Sequence, residues 1–77
     1  MVNKEEVIDS IKRTIPDAEV KVEDLGGGDH LQVSVISESF SGLSLVKQHQ
    51  MVYAALSDKL ANESIHALAL STSTRSN

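Results

Sequence analysis

The sequence predicts a small α/β domain of the α+β type, in which helices pack on one face of a three-stranded sheet. Apolar residues recur at helical spacing in two segments and alternate with polar residues in two others, and a short, largely apolar segment follows near the C-terminus. The predicted order is helix, strand, strand, helix, strand. Because the last strand follows a helical crossover, we expect it to pair in parallel with an earlier strand, which gives a mixed sheet. The 77 residues suffice for one domain, with an ordered core at about 3–71 and a polar C-terminal tail at 72–77.

The first helix is predicted at residues 4–14. Asn3 and Glu6 have the spacing of a capping box. Pro16 ends the helix because a proline disfavours helical geometry in the residue before it. The apolar residues that follow the cap lie three or four positions apart on one face: Val7, Ile8, Ile11 and Ile15.

Two alternating segments separated by glycines predict a β-hairpin. Residues 18–24 and 30–37 each place aliphatic side chains on one face and polar side chains on the other. The connecting segment 26–29, GGGD, lacks the Lys and Ser/Thr of a phosphate-binding loop, and no helix begins after it. We therefore interpret it as a flexible hairpin turn.

A turn, a helix and a strand make up the second half of the chain. Phe40 is the only phenylalanine and is expected to anchor an otherwise aliphatic core, and Gly42 allows a sharp turn. Ser44 has the position of a helix cap. The spacing of apolar residues over 45–60 predicts a helix, or a short helix that runs into a longer one, and residues 65–70, IHALAL, predict the third strand.

The composition excludes several classes of function. The chain has no cysteine, which removes disulfides, thiol nucleophiles and self-contained cysteine sites for zinc or iron–sulfur clusters. A partner would have to supply the thiolates for any such cofactor. No Ser-His-Asp arrangement, His-x-x-x-His pair or cofactor loop stands out, so we expect a protein that is not an enzyme.

The net charge of −4 is unevenly distributed. Residues 1–39 hold four basic and nine acidic side chains, and residues 40–77 hold three basic and two acidic ones. The sequence shows no dense Lys/Arg patch of the kind that neutralises nucleic-acid phosphates. No apolar run is long enough to span a bilayer, and the acidic N-terminus is unlike a signal peptide. We expect a cytoplasmic protein, or an organelle-matrix protein if a presequence has been removed.

Three motifs together resemble the BolA family. They are the F-x-G turn at 40–42, the aliphatic–aromatic pair Val52–Tyr53 in a helix that contains a histidine, and the strand IHAL at 65–68. The resemblance covers about residues 3–74. It implies an α-β-β-α-α-β fold similar to a type II KH domain, which agrees with the predicted order of elements.

The resemblance also implies partnership with a monothiol glutaredoxin and participation in [2Fe–2S] cluster trafficking or iron and redox regulation. The family's histidine ligand in the last strand corresponds to His66. Imidazole replaces thiolate on one iron of some [2Fe–2S] clusters, and here the partner and its glutathione would supply the sulfur ligands. The resemblance thus implies that the chain alone binds no cluster. The alternative is that His66 is an ordinary polar residue on the exposed edge of the sheet.

The family's second ligand normally lies in the loop between the first two strands. Here that loop offers Asp29, a hard oxygen donor that suits this iron chemistry poorly, and His30 at its end. His30 is therefore a candidate second ligand, and a structural role at the start of its strand is the alternative. We expect the partner-facing surface to include the glycine loop, His30, the end of the last strand and the polar tail.

An alternative implied by the resemblance is a DNA-binding transcription regulator that uses the helix-turn-helix-like region after the F-x-G turn. Its candidate contacts are Lys47, Gln48, His49 and Gln50, with Lys59 as a further cation. Many relatives carry arginines on both sides of the helix histidine, whereas this chain has glutamines, which contribute little to phosphate binding. The alternative role for His49 is that of a structural histidine in the core.

Two further alternatives are a pure interaction module that binds the glutaredoxin without a cluster, and a homodimer.

Overall fold

The computed structural model describes residues 3–28, 30–62 and 64–74. The helices and strands follow one another in the predicted order, with a one-turn 3-10 helix added between β2 and α2. They are α1 (Lys4–Thr14), β1 (Glu19–Gly26), β2 (His30–Ile36), the 3-10 helix (Glu38–Phe40), α2 (Leu45–Ala55), α3 (Ser57–Ala61) and β3 (Ala67–Ser73). The predicted small α+β domain is confirmed, and the bounds of α1 agree with the prediction.

The sheet is mixed, with β2 between β1 and β3. β1 pairs with β2 in antiparallel fashion, and β3 pairs with β2 in parallel fashion, as the helical crossover predicted. In the parallel register His30 lies opposite Ala67 and Ile36 lies opposite Ser73. The N-terminal ends of β2 and β3 and the β1–β2 turn therefore lie together at one end of the sheet.

One face of the sheet packs against the helices. Val33 at the centre of β2 pairs with Val22 of β1 and Leu70 of β3, and such rows of aliphatic side chains face α1 and α2. Phe40 is fully buried among them, as predicted. The buried apolar residues are Val7, Ile11, Ile15, Ala18, Leu31, Val33, Val35, Phe40, Val52, Leu56 and Ile65.

Local hydrogen bonds explain where the helices begin. The Asn3 side chain accepts a bond of 2.7 Å from the Glu5 N–H, which satisfies one of the free donors at the start of α1. The Ser44 hydroxyl accepts a bond of 3.3 Å from the Lys47 N–H at the start of α2. Asn3 and Ser44 are therefore helix caps as predicted, although the bond to Asn3 comes from Glu5 and not from Glu6, its expected capping-box partner.

The helical segment predicted at 45–60 is two helices, and the longer one comes first. The break falls at Leu56, whose side chain is buried and whose backbone departs from helical geometry at φ −107° and ψ 12°. Leu45 and Val46, counted in the predicted apolar pattern, lie exposed at the start of α2. Val52 and Leu56 make the buried contacts instead.

The third strand begins and ends later than predicted. Ile65 is buried and its N–H donates to the Lys59 carbonyl at 3.1 Å, so this residue is tied to α3 rather than to the sheet. β3 then matches β2 along its whole length and ends at Ser73. Residues 72 and 73, assigned from sequence to a polar tail, are thus strand residues, and residues 75–77 lie outside the described part of the chain.

Candidate functional site: a stacked histidine pair

Two imidazole rings stack at the end of the sheet where β2 and β3 begin. His30 is the first residue of β2, and His66 immediately precedes β3. Their ring centroids lie 5.3 Å apart with an interplanar angle of 23°. Both residues are exposed, so the pair presents nitrogen donors at the surface.

The parallel pairing of β2 with β3 creates this arrangement. His30 lies opposite Ala67 in the register, which places the residue before Ala67 beside the start of β2. The buried side chain of Ile65 fixes the chain on the other side of His66. The prediction that His66 lies inside the third strand is wrong, because the chain between Ile65 and Ala67 bends before the sheet pairing starts.

The glycine turn lies next to the same pair, because Gly26 lies opposite His30 in the β1–β2 register. The Asp24 side chain accepts bonds from the Gly26 N–H at 2.8 Å and the Gly28 N–H at 3.2 Å. Gly27 and Gly28 have φ of 75° and 76°, a region that residues with a Cβ rarely enter. The turn is therefore held by its own hydrogen bonds, and Asp29 lies outside the described residues.

A register shift between Asp24 and Gly26 leaves Leu25 as an extra residue in β1. Bulges of this kind redirect a side chain relative to the sheet. Leu25 is 58% exposed at the tip that carries the histidine pair. Leu25 was not predicted as a functional residue, although its place after an alternating run and before three glycines is a signal for it.

The donor set suits a metal or cluster that another molecule also ligates. Neutral imidazole is a good ligand for iron, zinc and copper, and the two rings are close enough to contact the same bound group. Within the described ranges no group of three or more His, Cys, Asp or Glu residues could hold a metal ion. The pair can thus contribute one or two ligands to a shared centre.

The third histidine lies elsewhere. His49 is partly exposed on α2 and meets Tyr53 edge-on, with ring centroids 6.5 Å apart. The expectation of a core histidine is therefore met only in part, because this face of α2 is only partly covered. His49 does not join the stacked pair.

Two other candidate nucleic-acid contacts are used inside the fold. The Gln48 amide donates to the Leu43 carbonyl at 3.0 Å and accepts from the Thr72 hydroxyl at 2.7 Å. Lys59 donates to the Ser10 hydroxyl at 3.1 Å and joins α3 to α1. Lys47 and Gln50 are exposed on α2.

The predicted partner-facing surface divides between the two ends of the sheet. The glycine turn, His30 and the start of β3 lie at one end. The C-terminal end of β3 lies at the other, where the Ser37 N–H donates to the Ser73 carbonyl at 3.1 Å. Because β3 runs parallel to β2, the polar C-terminal segment up to residue 74 lies at the opposite end of the sheet from the histidines.

The fold and the stacked pair together define a small α+β domain that presents imidazole donors at one end of a mixed sheet. A family model described as BolA-like protein matches residues 6–77. Protein BOLA2 of Arabidopsis thaliana is 38% identical over 72 residues, which cover 91% of this chain and 75% of that protein. The chain belongs to the BolA-like family, as the three sequence motifs indicated.

A second relative and a solved structure agree with this assignment. The DNA-binding transcriptional regulator BolA of Vibrio cholerae is 49% identical over 49 residues, which cover 64% of this chain and 45% of that protein. The structure of BolA1 from Arabidopsis thaliana matches with a TM-score of 0.86 at 26% identity and covers 100% of this chain and 98% of that one. Across the described residues, no helix has the length and apolar character needed to cross a membrane.

Proposed function

We propose that this chain is a non-enzymatic adaptor that binds a monothiol glutaredoxin and takes part in [2Fe–2S] cluster trafficking or iron and redox regulation. The observation that carries the proposal is the exposed, stacked pair of His30 and His66. The cluster is the cargo of the complex, and His66 supplies a nitrogen ligand to it. Because this chain has no cysteine, the partner and its glutathione supply the thiolates.

A nitrogen ligand gives such a complex useful chemistry. Imidazole in place of thiolate raises the reduction potential of a [2Fe–2S] centre. Imidazole also remains a good leaving ligand once protonated, since a protonated ring nitrogen has no lone pair for iron. Both properties suit transfer of a cluster better than its storage.

His30 has two roles consistent with its position. Its ring stacks on His66 at 5.3 Å, which restricts the orientation of the ligand ring and lowers the entropy cost of ligation. It also lies near enough to be the second ligand from this chain. Substitution separates the two roles, because phenylalanine preserves the stacking surface and removes the nitrogen donors.

The first test is a titration of the chain into a cluster-loaded monothiol glutaredoxin, followed by visible absorption and circular dichroism. We expect a new cluster spectrum for the unmodified chain and its loss in His66→Ala. His49→Ala is the matched control, because it removes an imidazole that lies away from the pair, and its spectrum should equal that of the unmodified chain. His30→Phe should retain the spectrum if stacking is its role and change it if His30 is a ligand.

The other outcomes point to different functions. Binding without any spectral change, in the unmodified chain and in His66→Ala alike, would indicate an interaction module that acts without a cluster. Complete absence of binding would reject the glutaredoxin adaptor.

DNA-binding transcription regulation is the second candidate. The observation that favours it is the relative in Vibrio cholerae, which is named a DNA-binding transcriptional regulator. α2 also carries no acidic residue and exposes Lys47. Against it stand the net charge of −4 and the internal hydrogen bonds of Gln48.

A further inference from the structure

We propose that Leu25 is the apolar anchor of the partner interface, and that it enters an apolar pocket with a basic rim on the glutaredoxin surface next to the cluster. This inference rests on the proposed function and adds the contact that gives the protein–protein complex its affinity. It concerns a residue that ligates nothing, so it is separable from the role of His66.

Leu25 is an exposed apolar residue near the end of β1. The residues before it alternate between the two faces of the sheet, and the register shift between Asp24 and Gly26 interrupts that alternation. Leu25 is the extra residue at this register shift and is 58% exposed at the hairpin tip.

The described part of the tip, residues 24–28, is held by hydrogen bonds within this chain. Asp24 accepts two backbone hydrogen bonds from the glycine turn, at 2.8 Å and 3.2 Å. An anchor on a preorganised turn loses less conformational entropy on binding than one on a free loop. Burial of an exposed apolar side chain against a partner removes it from water and thereby favours binding.

The tip shares its location with the histidine pair. Gly26, one residue after Leu25, lies opposite His30, and His30 stacks on His66. A partner that delivers a cluster to His66 therefore meets the hairpin tip in the same encounter. This continuity selects the glutaredoxin as the occupant of the surface around Leu25.

The charges beside the anchor indicate what surrounds the pocket. Glu23 is exposed on β1 close to Leu25, and Asp24 adds a second carboxylate at the turn. The first half of the chain carries nine acidic and four basic side chains. A basic rim on the partner would complement these carboxylates and speed the encounter.

The other exposed apolar residues do not share this location. Leu45 is 60% exposed at the start of α2, where it lines a groove with Ser73 and Thr74. That groove lies at the C-terminal end of β3, at the opposite end of the sheet from His66. Leu45 is therefore a matched control, an equally exposed leucine away from the proposed interface.

The test measures binding of Leu25→Ser and Leu45→Ser to a monothiol glutaredoxin, with and without its cluster, by biolayer interferometry. We expect Leu25→Ser to raise Kd roughly tenfold, mainly through faster dissociation, because apolar anchors act on complex lifetime. Leu45→Ser should stay within about twofold of the unmodified chain. Leu25→Ser at saturating concentration should still give the cluster spectrum, because His66 is intact.

Equal Kd values for Leu25→Ser and Leu45→Ser, with normal binding by the unmodified chain, would overturn the anchor and leave the adaptor function standing. Failure of the unmodified chain to bind would reject the adaptor function and the anchor with it.

Glu23→Lys tests the basic rim. We expect a slower association rate at low salt, and an unchanged or faster rate would overturn the rim. Far-ultraviolet circular dichroism verifies that each variant is folded.

Discussion

Asp17 shows how one residue sets the position of a whole turn. Its carboxylate accepts a bond of 2.6 Å from the Ser37 hydroxyl and one of 2.9 Å from the Glu38 N–H. Ser37 is fully buried, so its hydroxyl needs this acceptor. The carboxylate thereby joins the segment after α1 to the 3-10 helix that presents Phe40 to the core.

We expect Asp17→Ala to lower the free energy of unfolding by about 1–3 kcal/mol, because it leaves a buried hydroxyl without its acceptor. Urea denaturation followed by circular dichroism measures this change. Asp9→Ala is the matched control, since Asp9 is exposed on α1 and surface substitutions usually change stability by less than about 0.5 kcal/mol. Similar losses for both variants would show that the Asp17 hydrogen bonds contribute little.

At the scale of the elements, the F-x-G turn links the 3-10 helix to α2. Gly42 has a φ of 78°, in the left-handed region, and a Cβ built there meets nothing within 4 Å. The turn therefore requires glycine for its backbone conformation and not for space. This separates the two reasons for which glycine commonly occupies a tight turn.

We expect Gly42→Ala to lower stability by about 1 kcal/mol, through backbone strain alone. For a domain of this size that corresponds to a decrease in Tm of roughly 4–8 °C, which differential scanning calorimetry measures. Gly42→Asn should cost less, because asparagine tolerates the left-handed region better than alanine. An alanine variant as stable as the unmodified chain, or an asparagine variant less stable than alanine, would contradict this explanation.

For the whole molecule, the candidate sites for the two proposed functions lie at opposite ends of one sheet. The histidine pair, the glycine turn and Leu25 occupy the end where β2 and β3 begin. The exposed start of α2 and the C-terminal end of β3 occupy the other, which is where the nucleic-acid alternative would operate. Substitutions at one end can therefore test one function while they leave the other intact.

The distribution of charge predicts weak binding to duplex DNA. The net charge of −4 opposes binding to phosphates, and Lys59, a candidate cation for this role, is bonded to Ser10. We expect fluorescence anisotropy at low salt to give a Kd above about 100 µM, which is a lower affinity than non-specific DNA-binding proteins usually have. Micromolar binding that weakens with salt and is lost in Lys47→Ala would instead support the regulator. Lys12→Ala, on α1, is the control.

The sequence by itself determined the order of the elements and the spacing of apolar residues in the helices and in the first two strands. Pro16 ends α1, and Asn3 and Ser44 cap helices through bonds to residues only two or three positions away. The alternating valines indicated which strand residues are buried. These features depend on local geometry and on burial, so a linear pattern can contain them. A linear pattern also contains the three motifs that resemble the BolA family.

Only the tertiary structure decided that His30 and His66 meet. Each was a candidate ligand from sequence, but their stacking depends on the register of β3 against β2. That Leu25 is an extra residue of β1 depends on the register of β1 against β2. Residues 72 and 73 are strand residues because β2 offers them pairing partners as far as Ile36. The spacing of apolar residues along a helix or strand identifies the face that each residue occupies. Register and proximity arise from pairing between distant segments, which no local pattern contains.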